Sequence, residues 1–320
     1  MILEAILKEE KEKIKVFLEK FDLDYDYSCD RTLYVLENDE IVGTVSKERY
    51  IIKCLAVRKE CQGTSVASNL VSEIISRIIY EGYTYYQVFT KAIYEDIFIN
   101  LGFKKIVSTD NTCVLESSSN TINDYLKEEV KKIDFNSDDI ASVVINANPI
   151  TLGHLNLIET ASKEHDHVLV FVLEEEKSMF TFKERFSLVF LATRHLNNVT
   201  VLKSSNYIIS SLTFPSYFLK EKSLVNKEYA LIDALIFKNY FMKYFNIKYR
   251  YVGKETSDVM KIYNETLKEI LKDSLIEIDR KDDISASTVR KLIEEERFDE
   301  SLKYIPDSIQ QLYLQIALNK

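Results

Sequence analysis

Glycine is scarce in this sequence: six residues in 320, or about 2%, against a usual ~7%. A chain that so seldom uses the residue tolerating positive φ and close backbone approach keeps it where the backbone requires it, so Gly43, Gly63, Gly82, Gly102, Gly153 and Gly253 each mark a position to read. Of the three prolines, Pro149 lies four residues before Gly153. Long apolar runs are missing too. Val168–Leu173 is typical of the longest, far short of the ~20 residues that span a bilayer, which excludes a membrane-spanning helix. Residues 1–21 alternate Ile, Leu and Val with Glu and Lys at helical spacing and contain no uninterrupted hydrophobic stretch, so they read as a charged helix rather than a secretory signal. Cys29, Cys54, Cys61 and Cys113 form no C-x-x-C pair and have no histidine in the same half; they read as reduced thiols of a cytoplasmic protein. His165 and His167 form an isolated H-x-H that reads as a solvated loop before a strand rather than a metal site. Positive charge is also in deficit. With 42 Lys and Arg against 51 Asp and Glu the net charge is −9, the wrong sign for a protein that neutralises nucleic-acid phosphates. A small anionic substrate remains open, because a local cluster of cations overcomes an unfavourable global charge.

What is present is an ordinary folding composition, 46% apolar and 29% charged, in a chain long enough for two domains. The first half shows strand-like runs at 33–36, 40–45 and 51–57, a loop at 58–65, then a helix whose apolar pairs Val66/Ala67, Leu70/Val71, Ile74/Ile75 and Ile78/Ile79 stack on one face. A strand over 85–90 and a short helix over 94–100 follow, stopped by Leu101-Gly102-Phe103. Polar residues 116–121, a charged helix to about Lys132 and Asn136-Ser-Asp-Asp139 mark a join. From Ile140 onward strands and helices alternate. Strands are expected at 140–145, 168–173, 199–202, 249–252 and 275–278, with helices from 152 and over 183–195, 229–245 and 259–272. That alternation predicts an α/β fold with a parallel sheet covered on both faces, which binds ligands at the carboxyl ends of its strands. The expected division is a first domain over 1–120, a linker over 121–139 and a second domain over 140–320.

The most informative segment is Val144-Ile-Asn-Ala-Asn-Pro-Ile-Thr-Leu-Gly-His154, a buried strand running into a helix. It resembles the T/H-x-G-H signature of the nucleotidyltransferase superfamily. A helix start offers unpaired N–H groups and a positive dipole end to a phosphate, Gly153 admits the phosphate to the backbone, and His154 can donate as charge builds on phosphorus. Ile284-Ser-Ala-Ser-Thr-Val-Arg290 resembles the I-S-x-S/T-x-x-R motif of the same superfamily: Ser285 or Ser287 caps a helix, and Ser287, Thr288 and Arg290 within one turn suit the β- and γ-phosphates. The resemblance implies a Rossmann-like domain that binds ATP with Mg2+, catalysis by Thr151, His154 and Arg290, and nucleotide contacts from Asn146, Asn148, Pro149, Gly153, Ser285, Ser287 and Thr288. Gly253 and Glu255 follow the strand ending at Val252 and join the expected ATP site from the sheet edge. Lys183 and Arg185 begin a helix, where they either face phosphate or form an exposed charge network with Glu184.

Within that superfamily, Ser205–Ser210, Thr213-Phe-Pro-Ser-Tyr-Phe-Leu-Lys220, Ile232-Asp233 with Ile236-Phe237, and Gly253-x-Glu255 followed by Tyr263-Asn264 look like the citrate lyase ligase family, over essentially the whole chain. Met260 departs from the threonine expected before Tyr263. In the first domain, Gln62-Gly63-Thr64-Ser65-Val66-Ala67 resembles the Q/R-x-x-G-x-G/A loop with which GNAT acetyltransferases cradle the pyrophosphate of coenzyme A, with Ser65 in place of the middle glycine. The resemblance implies a GNAT-like α+β domain followed by the nucleotidyltransferase domain. The implied reaction joins acetate, through acetyl-adenylate, to the prosthetic-group thiol of the citrate lyase acyl carrier subunit, with release of AMP and pyrophosphate and activation of citrate lyase. Gln62, Gly63, Thr64, Ser65 and Ala67 are the implied grip on that prosthetic arm, which derives from dephospho-coenzyme A. Two other classes share the phosphate motifs: a free-standing adenylyltransferase of a phosphorylated metabolite, of the pantetheine-phosphate or nicotinamide-mononucleotide type, and a non-catalytic nucleotide or acyl-CoA sensor.

Overall fold

The computed structural model describes residues 1–210, 213–255, 257–279 and 285–320. The chain divides into two compact units, Met1–Tyr125 with Pro215–Glu228, and Leu126–Phe214 with Tyr229–Lys320.

The first unit is built on a seven-stranded mixed sheet in the order β1-β2-β3-β4-β5-β7-β6. Its strands are β1 (Ile2–Glu4), β2 (Arg31–Glu37), β3 (Glu40–Glu48), β4 (Ile51–Val57), β5 (Gln87–Lys91), β6 (Lys104–Ser108) and β7 (Thr112–Glu116), with helices α1 (Lys8–Glu19), α2 (Val66–Tyr80) and α3 (Glu95–Asn100). This is the mixed α+β architecture expected of a GNAT-like domain. α2 buries Leu70, Val71, Ile74 and Ile78, the stripe its periodicity announces. It lies so close to β3 that a Cβ on Gly43 would stand 2.9 Å from Val66 Cγ1 and 3.0 Å from Leu70 Cδ1.

β4 and β5 run parallel and pair at only two positions, Ile51 with Gln87 and Ile52 with Val88. Just beyond, β4 bulges against β3, and Cys54 takes up the extra residue at φ 53°. The segment 215–228, which the sequence reading assigns to the second domain, packs here: the Tyr217 hydroxyl donates to the Phe89 carbonyl of β5 at 2.9 Å, and Asp24 N–H donates to the Tyr217 carbonyl at 2.8 Å. Glu228 anchors the other end, accepting from Thr109 Oγ1 at 2.5 Å and Asn111 Nδ2 at 2.9 Å.

The second unit is a five-stranded, wholly parallel sheet in the order β10-β9-β8-β11-β12, with strands β8 (Ile140–Ile145), β9 (His167–Val172), β10 (Val199–Lys203), β11 (Ile247–Gly253) and β12 (Leu275–Ile278). α4 (Ile122–Val130) straddles the division, as does α7 (Lys222–Ile236), which continues through a π turn at Phe237–Phe241 into α8 (Met242–Tyr244); the other helices are α5 (Leu152–Glu164), α6 (Phe182–Thr193), α9 (Asp258–Leu271) and α10 (Ala286–Glu294). The central strands carry Ala141, Val143, Val168, Val170 and Val172, all fully buried, as a sheet covered on both faces demands. Strand order reverses between β8 and β11, so the crevice at their carboxyl ends is the place where such sheets bind ligands.

Some expectations are corrected. The N-terminus is not helical from its start: Ile2–Glu4 pairs with β2 as an edge strand, and the helix begins at Lys8. β6 and β7 were not anticipated, and α7 starts seven residues before Tyr229, because its first two turns are polar and carry little periodic signal. His165 is not a freely solvated loop residue: it is half-buried, with Nδ1 2.8 Å from Asp139 Oδ1 and Nε2 2.8 Å from the Tyr251 hydroxyl, while His167 opens β9 and stacks on Phe135. Among the described residues no helix is long and apolar enough to cross a membrane. Substituting Gly43→Val is expected to destabilise the first unit by about 1–3 kcal/mol, because α2 must shift off β3; a urea midpoint equal to that of the parent chain would refute this account of the helix–sheet contact.

Candidate active site

The loop after β8 turns through Ala147, at φ 50°, and a cis Asn148–Pro149 peptide into α5. Thr151 is the N-cap of α5 and His154 is its third residue. The backbone N–H of Thr151 donates to His154 Nδ1 at 3.1 Å, and the Thr151 hydroxyl lies 2.9 Å from the same nitrogen. A backbone N–H can only donate, so Nδ1 is an acceptor and the neutral ring carries its proton on Nε2. The helix start thus fixes both the orientation and the tautomer of the imidazole.

α10 supplies the opposite wall. Ser285 is its N-cap, its Oγ accepting from the Thr288 N–H at 3.2 Å and lying 2.8 Å from Ser287 Oγ and 2.9 Å from Thr288 Oγ1. One turn on, Arg290 Nη1 donates to the Asn148 carbonyl at 2.7 Å. Two motifs separated by 142 positions are therefore joined by a direct hydrogen bond. Ile284, the first residue of the second motif, lies outside the described residues.

Between these walls is a cleft of about 540 Å³, lined by Asn146, Thr151, Gly153 and His154 from the first motif, Ser285, Ser287 and Arg290 from the second, and Gly253 and Glu255 from the end of β11. Its volume suits a small-molecule ligand of nucleotide size. Asn148, Pro149, Thr288, Lys183 and Arg185 do not belong to its wall. Asn148 works behind it, its Oδ1 accepting from the Phe180 N–H at 3.0 Å. Lys183 is exposed.

Arg185 requires a correction, because it neither faces phosphate nor joins a surface network. It is fully buried, and its guanidinium donates to four backbone carbonyls: Asn146 and Leu173 at 2.8 Å, Glu175 at 2.6 Å and Phe180 at 3.1 Å. The carbonyls of Asn146, Leu173 and Glu175 lie just past the ends of β8 and β9, where the ladder stops and leaves acceptors unmet, and that of Phe180 lies just before α6. Burial pulls the Arg185 guanidinium below its usual range, with Glu175 and Glu176 opposing.

Several wall residues were not among the expected site residues, although Asn264 belongs to the Tyr263-Asn264 segment that carries the family resemblance. Asn264 Nδ2 donates to the Gly253 carbonyl at 3.0 Å and to Glu277 Oε1 at 2.9 Å, holding the end of β11. Arg250 and Asp279 also line the cleft. A signal for Arg250 was available: a charge in the middle of the strand Tyr249-Arg-Tyr-Val252 is out of place unless something pairs with it. Burial pushes the neighbouring Tyr263 phenol well above its ordinary value.

A family model for the citrate lyase ligase C-terminal domain matches residues 140–313, more than half of the chain. The citrate (pro-3S)-lyase ligase of Escherichia coli K12 is 32% identical over 294 residues, covering 88% of this chain and 84% of that protein. The chain belongs to the citrate lyase ligase family. A phosphopantetheine adenylyltransferase of Clostridium botulinum strain 657 is 30% identical over 145 residues, 40% of this chain and 85% of that protein. An acetyltransferase of the GNAT family from Staphylococcus aureus Mu50 has a solved structure that matches at 16% identity and a TM-score of 0.31, covering 37% of this chain and 98% of that one. The adenylyltransferase likeness thus spans a part of this citrate lyase ligase family member, while the ligase likeness spans nearly all of it.

Replacing Arg185 by Met is expected to cost about 3 kcal/mol or more in unfolding free energy, since it leaves four buried carbonyls without a charged donor. Denaturant unfolding checks this, and a variant as stable as the parent would show that the clamp contributes nothing.

Proposed function

We propose that the chain activates acetate with ATP in the cleft of the second unit and passes the acetyl group to the prosthetic-group thiol of the citrate lyase acyl carrier subunit. In the first step an acetate oxygen bonds to the α-phosphorus of ATP while the bond to the β-phosphate bridging oxygen breaks, and pyrophosphate leaves with the electron pair. In the second step the thiol sulfur attacks the acetyl carbon, AMP leaves, and the thiol proton is released. No covalent enzyme nucleophile is required; positioning and charge stabilisation suffice.

The observation that carries this reading is the convergence of Thr151, Gly153 and His154 with Ser285, Ser287 and Arg290 on one cleft, tied by the bond from Arg290 to Asn148. The starts of α5 and α10 suit phosphate oxygens, and the Nε2–H tautomer of His154 suits an α-phosphoryl oxygen as it gains charge. Arg290 keeps donors besides the one given to Asn148, and these serve the β- and γ-phosphates. Among the described residues no cluster of three or more His, Cys, Asp or Glu stands ready for a metal ion. Mg2+ characteristically takes one or two carboxylates along with phosphate oxygens and water, and the cleft wall offers Glu255 and Asp279 for that role. When bound, the ion supplies neutralisation of phosphate charge.

The first unit is the proposed dock for the prosthetic arm. Residues 62–65 form an exposed turn into α2, with Gln62 Nε2 bonded to the Val57 carbonyl at 3.2 Å, Gly63 at φ 78°, the Val66 N–H donating to Thr64 Oγ1 at 3.4 Å, and no cap bond from the side chain of the N-cap Ser65. Such a helix start is a ready anion site for the pyrophosphate of a coenzyme-A-like arm. The reaction is placed in the cytoplasm, in keeping with four cysteines that form no disulfide.

Substituting His154→Ala is expected to lower acetate-dependent exchange of labelled pyrophosphate into ATP by about 100- to 1,000-fold while the chain stays folded. Near-normal exchange in that variant would remove His154 from the chemistry. Gly63→Glu is expected to leave this exchange intact and to impair acetyl transfer to the carrier thiol; equal loss of both half-reactions would argue against a division of labour between the units.

A further inference from the structure

Arg250 is 1% exposed, yet it forms part of the wall of the cleft. Strand alternation puts it on the face of β11 opposite Tyr249 and Tyr251, against α7, the π turn and α9. One of its nitrogens is committed: Nη2 donates to Asp233 Oδ2 at 3.0 Å and to the Tyr263 hydroxyl at 2.9 Å, and that hydroxyl donates to the same carboxylate oxygen at 2.7 Å. The guanidinium lies over the Phe237 ring, 4.4 Å from its centroid. The other two nitrogens, Nε and Nη1, are buried and meet no acceptor among the described residues. A charged donor left unmet in a dry site is expensive, and folds keep one where an acceptor from outside completes it. Asn146 Oδ1, in the same wall, is likewise buried without a partner among the described residues.

Position identifies the acceptor. Arg250 precedes the end of β11 at Gly253 by three residues, which puts it about 10 Å below the strand end. The phosphate-suited groups are at the rim, on the helix starts and loops. The group that meets Arg250 is therefore a second, smaller anion beneath the nucleotide. Val252, Met260 and Tyr263 flank it in the wall and suit a short apolar stub rather than further charge.

We propose that Arg250 is the carboxylate-binding residue of the cleft, holding one oxygen of a short-chain monocarboxylate while the other is presented to the α-phosphorus. This rests on the adenylation reading above. The carboxylate stays ionised, and Arg250 keeps all its protons: the carboxylate oxygen forms the new P–O bond, and pyrophosphate departs with the electrons of the old one. Asp233 and Tyr263 are positioning residues, fixing Nη2 so that the remaining edges of the guanidinium stay available.

The test measures pyrophosphate exchange on the full chain with acetate and ATP varied in turn, together with ATP binding by equilibrium dialysis without acetate, in the parent, Arg250→Lys and Arg250→Gln. The expected result for Arg250→Gln is a rise in KM for acetate of about ten- to a hundredfold, with a smaller rise for Arg250→Lys and ATP binding unchanged within about threefold. An unchanged acetate KM, or ATP affinity falling in step with it, would overturn the assignment. Should the substitutions unfold the chain, arginine side-chain 15N–1H spectra of the parent, loaded with a non-cleavable ATP analogue, take their place. Acetate, but not acetamide, should then move a solvent-protected Nε–H resonance, and no movement would overturn the proposal. A parent chain with no acetate-dependent exchange at all would instead refute the adenylation reading itself.

Discussion

Parallel sheets end in a ragged row of carbonyls, and the crevice between β8 and β11 can hold a ligand only if those acceptors are satisfied by something rigid. Arg185 does this from α6, taking the carbonyls of Asn146, Leu173, Glu175 and Phe180 in one guanidinium fork. Asn146 belongs at once to this clamp and to the cleft wall, and Asn148, two residues on, receives Arg290 from α10. The approach of the two motifs therefore depends on a buried cation that lies outside the cleft wall. Arginine suits the position because a lysine ammonium has three donors and no planar fork with which to reach four acceptors.

The chemistry of the cleft follows from helix starts rather than from charge in bulk. A chain of net charge −9 gathers donors locally, through backbone N–H groups at the beginnings of α5 and α10 and through one imidazole whose tautomer is set by its own N-cap. In the proposed reaction, holding His154 Nδ1 as an acceptor costs nothing, because the ring does not have to turn or lose a proton before it donates. Arg290 and the side chains of Ser285 and Ser287 complete the wall.

Much of this was legible in the sequence. The β-α alternation after Ile140 is written in short Val- and Ile-rich runs, and Gly153 and Gly253, two of only six glycines, both line the cleft. Local patterns found the helix starts because capping is local. They failed where the deciding partner is distant. The i,i+2 spacing of Lys183 and Arg185 cannot tell an exposed cation from one drawn inward by the strand ends, and the H-x-H of His165 and His167 gives no hint of Asp139 or Tyr251. β6 and β7 are five residues each and carry no long alternation, so their pairing is settled by the sheet they join. The same blindness hid Arg250, whose meaning comes from Asp233, Phe237 and Tyr263 on other elements.

The excursion of Pro215–Glu228 into the first unit has a bearing on how the polypeptide reaches its native state. Tyr217 is buried against β5 and Glu228 closes on Thr109 and Asn111, so a unit that begins at Met1 is finished only by residues made after the first segment of its neighbour, Leu126–Phe214. A ribosome emitting the chain from its N-terminus cannot release a completed first unit at the linker. The seven-stranded sheet has to wait, with part of its interior uncovered, until translation has passed position 228.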